Sequence, residues 1–588
     1  MSQFRAKLIP ARRNRGPSGS LAIFVLYAIM MKWRSLVPQA NLCEGSREKT
    51  EWHFGKRFPS RARRLISISA VLTLLGVALG AVSHATDFYV ATNGTPAGDG
   101  SIGNPWNLVT ALTNPPSVHP GDTIWLRGGV YTTTPVYDSG SGWWKAFQST
   151  LAGASNNLVT LRQYPGERAT LDGGSNQTLE VESVAAYSAY RDFEITQSNP
   201  NRTNAPYASG IFDFGHDTKF INLIIHDNGG NGIVAGANAT NAEVSGCIIY
   251  NNGYQGAYPD RGHGHGLYLQ GNNPLLKFIR GNVSFNNYAI AMKAYAEGPN
   301  IDGFYFLGNT CFGSGSISQS NGLTYNLQIG GLSMTHRIIA VSNYTWHAGL
   351  PNINMADFEF FYGTETNGDL VVSNNYFAGG EGAVKYWSNG IVLANTWIMG
   401  GNYLVNDGID GSPADRYVMD YNTYYFPMGR AAPFYYGFPQ PGYTNYNFTG
   451  WKTYTGYDIH STSTNAMPAG TNVFIVRDAY DVNRTTVTVY NWNLSTTVDV
   501  DVSNLLQVGA PYEVRNVQDW YGAPVLTNKY DGTPLHLPMT GLSLAQPIGL
   551  APPPPTGPQF NVFVVRQFPA SQTLAPADNL HLVNTNGP

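Results

Sequence analysis

The chemically richest stretch of the 588-residue chain is Asp260-Arg-Gly-His-Gly-His-Gly-Leu-Tyr268, followed one repeat later by Lys293-Ala-Tyr295. Imidazoles on flexible glycines, a phenol, an amine and a guanidinium together supply a proton acceptor, a proton donor and positive charge for a substrate anion. The alternating His263-Gly-His265, with His226 and Asp227 on a neighbouring repeat, also offers donors to a transition metal. Against both readings, glycines shape tight turns, and histidines beside them often do no more than hydrogen-bond locally. No glycine-rich phosphate loop, nucleophile elbow or CxxC pair occurs.

These residues are carried by a repeat that is neither helix nor hairpin. Phe220-Ile-Asn-Leu-Ile-Ile-His-Asp-Asn228, Phe278-Ile-Arg-Gly-Asn-Val-Ser-Phe-Asn-Asn287 and Leu370-Val-Val-Ser-Asn-Asn-Tyr-Phe377 each show a short β-prone run, a polar turn and another short run. Aligned on Asn222, Gly246, Asn282, Asn309, Asn343, Asn374 and Asn395, the repeats are spaced by 24, 36, 27, 34, 31 and 21 residues. Repeats of this size mean a solenoid, propeller or array. No 3.6-residue periodicity runs long enough for a helical solenoid, and the shortest repeats hold too few strands for a propeller blade. Variable length suits a right-handed parallel β-helix, in which each coil adds one rung and surplus residues bulge out as loops. Asparagines at the turn can adopt the left-handed conformation and stack their amides from rung to rung. An all-β fold follows, with Cys247 and Cys311 on coils two rungs apart and on opposite faces, so both thiols are expected to be unpaired.

Alternation along Gly232–Gly236, Gly266–Gln270, Ala289–Lys293, Asp357–Phe361 and Gly382–Tyr386 sends Tyr268, Gln270, Lys293, Glu359, Phe361, Lys385 and Trp387 outward. Leu267, Leu269, Ile290, Met292, Phe358 and Phe360 point into the core.

The low charged fraction of 12%, with 65 Gly and 36 Tyr, fits an exported β-rich protein. Residues 1–85 read as a leader: Arg61, Arg63 and Arg64 precede the apolar run Leu65–Val82, and Ser83-His84-Ala85 offers a signal-peptidase site near Ala85. Residues 1–60 fit an over-extended gene start or a long targeting segment. A secreted, extracellular or periplasmic location follows, with no stable membrane insertion after cleavage. Residues 86–588 carry 21 basic against 35 acidic side chains, a balance of −14, which disfavours nucleic acid and anionic membranes. The repeat occupies 86–464, a linker 465–470, a small antiparallel β-sandwich 471–568 and a tail 569–588. Trp492 and Trp520 of the sandwich read as buried residues before sugar platforms.

Phe88-Tyr-Val-Ala-Thr-Asn-Gly94, Gly103-Asn-Pro-Trp106 and Pro120-Gly-Asp-Thr-Ile-Trp-Leu-Arg-Gly-Gly-Val-Tyr131 resemble the opening of the pectate-lyase-like superfamily of secreted β-helix proteins. There a strand, a short helix (here about Trp106–Leu112) and the first coil close the open N-terminal end. The resemblance implies a monomer that lays a polysaccharide along one outer face, and it covers lyases, epimerases, hydrolases and non-catalytic adhesins. For β-elimination or epimerisation of a uronate, Lys293 or His265 is the candidate base and Tyr268 the acid, with Arg261, His263 or Gln270 on the carboxylate. Tyr295, Glu359, Lys385 and Trp387 complete the binding face. A hydrolase would instead use carboxylates among Asp357, Glu359 and Glu381. Calcium is the cation implied by the resemblance, with Asp213, Asp217, Asp227 and Asp260 as oxygen donors. A non-catalytic glycan-binding module is the remaining alternative.

Overall fold

The computed structural model describes residues 85–139, 142–202, 208–254, 264–271, 276–296, 298, 301–318, 324–350, 356–360, 367–401, 403–406, 417–436 and 444–569. The leader, together with Asp260, Arg261, His263 and Phe361, lies outside them.

Three long sheets run side by side along a right-handed parallel β-helix. The first has 12 strands, from Asp87–Val90 to Tyr417–Asp420, and the second 12, from Gly129–Tyr131 to Thr462–Thr464. The third has 13, from the Val136–Asp138 edge strand to Thr444–Tyr446. Each coil gives one short strand to each sheet, and the apolar partner of every alternation points into one continuous core.

What ends the short strands is a repeated left-handed residue. Between the first and second sheets, Asp192, Asn222, Gly246, Gly281, Gly308, Ser342, Asn374, Ala394 and Tyr421 all have φ between 55° and 69°. The amide ladder occupies the position after this one. The Asn282 Nδ2 donates to Asn309 Oδ1 at 3.0 Å, Asn309 to Asn343 at 2.9 Å, Asn343 to Asn375 at 3.0 Å, and Asn375 to Asn395 at 2.9 Å. Asn395 continues to Asn422 at 3.1 Å. Alignment on Asn222, Gly246 and Asn374 is therefore one residue early. Turn-forming and ladder-forming roles fall to consecutive residues, because the residue with positive φ turns its own side chain away from the stack. A shorter ladder, Asn228 to Asn252 to Asn287, occupies another corner.

The corrected register puts Cys247 in the ladder column itself and Cys311 two residues beyond it. Both thiols thus point into the core, contrary to the expectation of opposite faces. They remain free and buried, since two rungs separate them, about 9.6 Å against the roughly 7 Å a disulfide tolerates. Burial pushes the Cys247 thiol up to about 12.

Both ends of the core are closed. At the start, Trp106 and helix Leu108–Leu112 cover the first rung, with Asn107 Oδ1 accepting from the Thr110 amide at 2.9 Å. At the other end a second helix, Phe448–Thr455, buries Trp451 against Phe434 with ring centroids 5.4 Å apart. No helix was expected there. Its signals are local: Asn447 caps the Gly450 amide, and Gly456 closes the C-terminus at φ 70°.

Residues 471–567 form a five-stranded antiparallel sheet, ordered Thr471–Arg477, Arg484–Asn491, Phe560–Gln567, Pro511–Asn516 and Leu526–Lys529. A two-stranded sheet, Thr497–Val500 with Leu535–Pro538, lies across a shared apolar core. The other face of the larger sheet packs on the outer side of the second sheet of the β-helix. There Tyr250, Phe285 and Phe312 stack at 5.0 and 4.8 Å, and Phe560 stacks on Trp346 at 5.1 Å. Trp492 is buried in this contact, its Nε1 donating to Tyr376 Oη at 2.8 Å, so it cannot serve as a sugar platform.

Charge is also buried at this junction. His226 lies between Glu194 Oε1 at 2.7 Å and Asp227 Oδ2 at 2.8 Å. Asp227 also accepts the Ile548 amide at 2.8 Å, which ties the cluster to the C-terminal module. Burial alone would lower the imidazole pKa, but the two carboxylates outweigh it and raise it to about 9. The unfolded value is about 6.5. Because the folded value is the higher, this contribution to stability is complete below about pH 6.5 and is lost as pH rises through 9. Denaturant unfolding of wild type is therefore expected to lose on the order of 3 kcal/mol across that window, a limb that His226→Gln should flatten. Equal pH profiles for the two proteins would refute the assignment.

Candidate active site

The outward column of the third sheet holds the residues able to do chemistry. In register across successive strands stand Glu180, Phe212, Val234, Tyr268, Lys293, Gln328 and Glu359. Strands Leu267–Leu269 and Met292–Ala294 put Tyr268 directly beside Lys293, because Leu267, Leu269, Met292 and Ala294 on the alternate positions fill the core. Ala291 belongs to that core, whereas Ile290 is buried outside it.

Lys293 is half-buried, with Nζ 4.2 Å from the Tyr295 ring centroid and 6.0 Å from that of Tyr268. Gln270 Nε2 donates to Tyr268 Oη at 3.3 Å. On the other side, Gln328 Nε2 donates to Glu359 Oε2 at 2.6 Å, and Tyr325 Oη lies 3.5 Å from Glu359 Oε1. Burial raises the Glu359 carboxyl pKa, while the Gln328 hydrogen bond and the charges of Lys385 and Lys293 oppose the rise. The structure thus brings together Tyr268, Gln270, Lys293, Tyr295, Glu359 and Lys385 from the sequence reading. Gln328 and Tyr325 were missed, although Leu327-Gln-Ile-Gly-Gly331 parallels Leu267-Tyr-Leu-Gln-Gly271 closely enough to have flagged Gln328.

Other assignments change. His265 is fully buried, and its Nδ1 accepts the Ile290 amide at 3.1 Å, which leaves the ring proton of the neutral imidazole on Nε2. Its ring stacks on Tyr268 at 5.6 Å, so it positions the phenol. Trp387 is not outward. The chain turns at Tyr386, φ 65°, alternation restarts, and the indole enters the core with Nε1 donating to Phe360 O at 2.6 Å. Asp357 is also buried, bonded to Asn326 Nδ2 at 2.6 Å and to the Thr345 hydroxyl, which removes it from any exposed carboxylate pair.

Three of the four aspartates offered for calcium, Asp213, Asp217 and Asp227, lie within the described residues, each in its own hydrogen bonds. Asp213 is buried against Thr218 Oγ1 at 2.7 Å and the Gly215 amide at 3.0 Å, and burial pushes its pKa up to about 7. Asp217 is held by Asn241 at 2.5 Å and His216 at 2.8 Å. Asp227 is committed to His226, Arg202 and the Ile548 amide. Protonated between two carboxylates, His226 has no lone pair for a transition metal. Among the described residues no three His, Cys, Asp or Glu side chains gather as a metal site.

Comparison with known proteins agrees with the architecture. Residues 88–253 match the family described as Pel9A-like, right handed beta helix region. An alignment 290 positions long, covering 40% of this chain, is 24% identical to pectate lyase L from Thermoclostridium stercorarium and covers 23% of it, so the chain matches about a quarter of that relative. Among solved structures, pectate lyase Pel9A superposes with a TM-score of 0.42 at 15% identity, over 58% of this chain and 80% of the other. A lacto-N-biosidase from Eubacterium ramulus gives 0.36 at 12%, over 61% and 66%. With its three parallel sheets and the match over residues 88–253, the chain has the right-handed parallel β-helix fold, and that stretch is similar to the Pel9A-like family.

Proposed function

We propose that the chain is an exported polysaccharide lyase that cleaves a uronate-containing glycan by β-elimination on the outer face of the third sheet. The observation that carries this reading is the in-register placement of Tyr268, Lys293, Gln328 and Glu359 on neighbouring strands, with the Lys385 charge acting on Glu359. Elimination needs the uronate carboxylate neutralised, the C5 proton removed and the C4 oxygen protonated as its bond to C4 breaks.

Lys385, with the amide of Gln270, meets the carboxylate. Lys293 Nζ, as the free amine, takes the C5 proton, and the electron pair of that bond becomes the C4–C5 double bond. Tyr268 Oη donates its proton to the departing oxygen, and His265 keeps the phenol in place by stacking. Glu359 orients Gln328 on the next rung. The test is incubation of the 86–588 fragment with pectate, alginate and glycosaminoglycans. New ultraviolet absorbance from an unsaturated uronate is expected on at least one, whereas reducing ends without unsaturation would replace the lyase by a hydrolase.

A further inference from the structure

The working column changes character on the N-terminal side of Tyr268. The next residues in register are Val234 and Phe212, then Glu180. Phe212 and Phe214, two residues apart on the same face, are both part-exposed, and their rings stack at 4.5 Å and 18°. Strands Gln177–Val181, Ile211–Asp213 and Ile233–Ala235 contain no Lys or Arg. The cation beyond them, Lys145, is already consumed: it pairs with Asp138 at 2.6 Å and with Glu180, and Glu182 stands 3.9 Å away. Three carboxylates surround that single ammonium.

A uronate lying here would bring its own carboxylate to a half-buried apolar surface that, among the described residues, is bordered by net negative charge. An uncharged pyranose meets no such cost, and its C–H face matches the exposed rings. Strand spacing is about 4.8 Å, so Phe212, three strands from Lys293, lies about 14 Å away, roughly three sugar rings along a chain parallel to the helix axis. We infer that Phe212 and Phe214 form a subsite for an uncharged sugar of the same glycan on which Lys293 acts. The preferred substrate therefore intersperses neutral sugars with uronates. This inference rests on the lyase reading for the position of the cleaved bond, but the subsite is a binding property and is testable without turnover.

Two hexasaccharides serve as probes, one alternating galacturonate with rhamnose and one of galacturonate alone, titrated calorimetrically into the 86–588 protein, Phe212→Ala and Phe212→Lys. Wild type is expected to prefer the alternating probe. Phe212→Ala should weaken that probe by up to about tenfold and leave the homopolymer unchanged. Phe212→Lys, which supplies the missing cation on the same outward position, should shift preference toward the homopolymer. In turnover, Phe212→Ala should raise KM for the alternating glycan without lowering kcat. Equal binding of both probes by wild type, or equal losses on both in Phe212→Ala, would overturn the subsite. Absence of unsaturated product with the expected binding pattern intact would overturn the lyase reading alone.

Discussion

Lys293→Ala is expected to lower kcat on a uronate glycan by about 10²–10⁴-fold, the usual contribution of a general base. The side chain is half-exposed on an outward position and the methylene of Met292 beside it does the packing, so the variant should fold and unfold like wild type. KM should change little, since the contacts proposed for the carboxylate, Lys385 and the Gln270 amide, are untouched. Lys293→Arg should not restore turnover, because a guanidinium keeps its proton at any working pH. The neighbouring imidazole is no equivalent substitute: His265 is buried and its Nδ1 is engaged by the Ile290 amide. Measured turnover above about a tenth of wild type in Lys293→Ala would remove the base from this position.

The second large effect is structural. Asn343 stands mid-ladder, and its side chain makes four buried hydrogen bonds. Its Oδ1 accepts from the Asn309 amide at 3.1 Å and from Asn309 Nδ2 at 2.9 Å, and its Nδ2 donates to Phe306 O at 2.9 Å and Asn375 Oδ1 at 3.0 Å. Alanine would strand several of these partners away from water, at about 1–3 kcal/mol for each group left unpaired. Asn343→Ala is therefore expected to cost roughly 3–5 kcal/mol in denaturant unfolding. Asn374, the residue at φ 55° one position before the ladder, is the control: Asn374→Gly should change stability by less than about 1 kcal/mol. If the two variants lose similar stability, the division of labour between consecutive turn residues is wrong.

These two sites also mark how far the sequence could be read. Strand runs of three to five residues between Asn and Gly turns are local patterns, and they determined the solenoid, its N-terminal closure and the outward direction of Tyr268, Lys293 and Glu359. Alternation is a property of each strand by itself, so it survives an error of two in aligning one coil with the next. Laying Gly266–Gln270 end to end on Ala289–Lys293 sets Gln270 against Lys293, whereas the fold pairs Tyr268 with Lys293, and the faces are the same in both. An error of one does not survive. It moved the ladder onto Asn222 and Asn374 and put the two cysteines on opposite faces, because at a corner the left-handed residue and its successor look alike in sequence.

What the tertiary structure alone decided lies wherever a corner or a neighbouring coil intervenes. Trp387 follows the turn at Tyr386 and is drawn into the core by the space beside Phe360, and alternation within the preceding strand cannot foresee that. The engagement of the His265 Nδ1 by the Ile290 amide, 25 residues away, is likewise beyond any local pattern. Glu180, Phe212 and Val234 joined the column of Tyr268 and Lys293 only when rungs far apart in sequence were stacked in register. The sequence by itself determined the rungs and the residue types that face outward. Their stacking order, and with it which outward residues touch, came from loops of variable length, which carry no periodic signal and whose register only the packed core enforces.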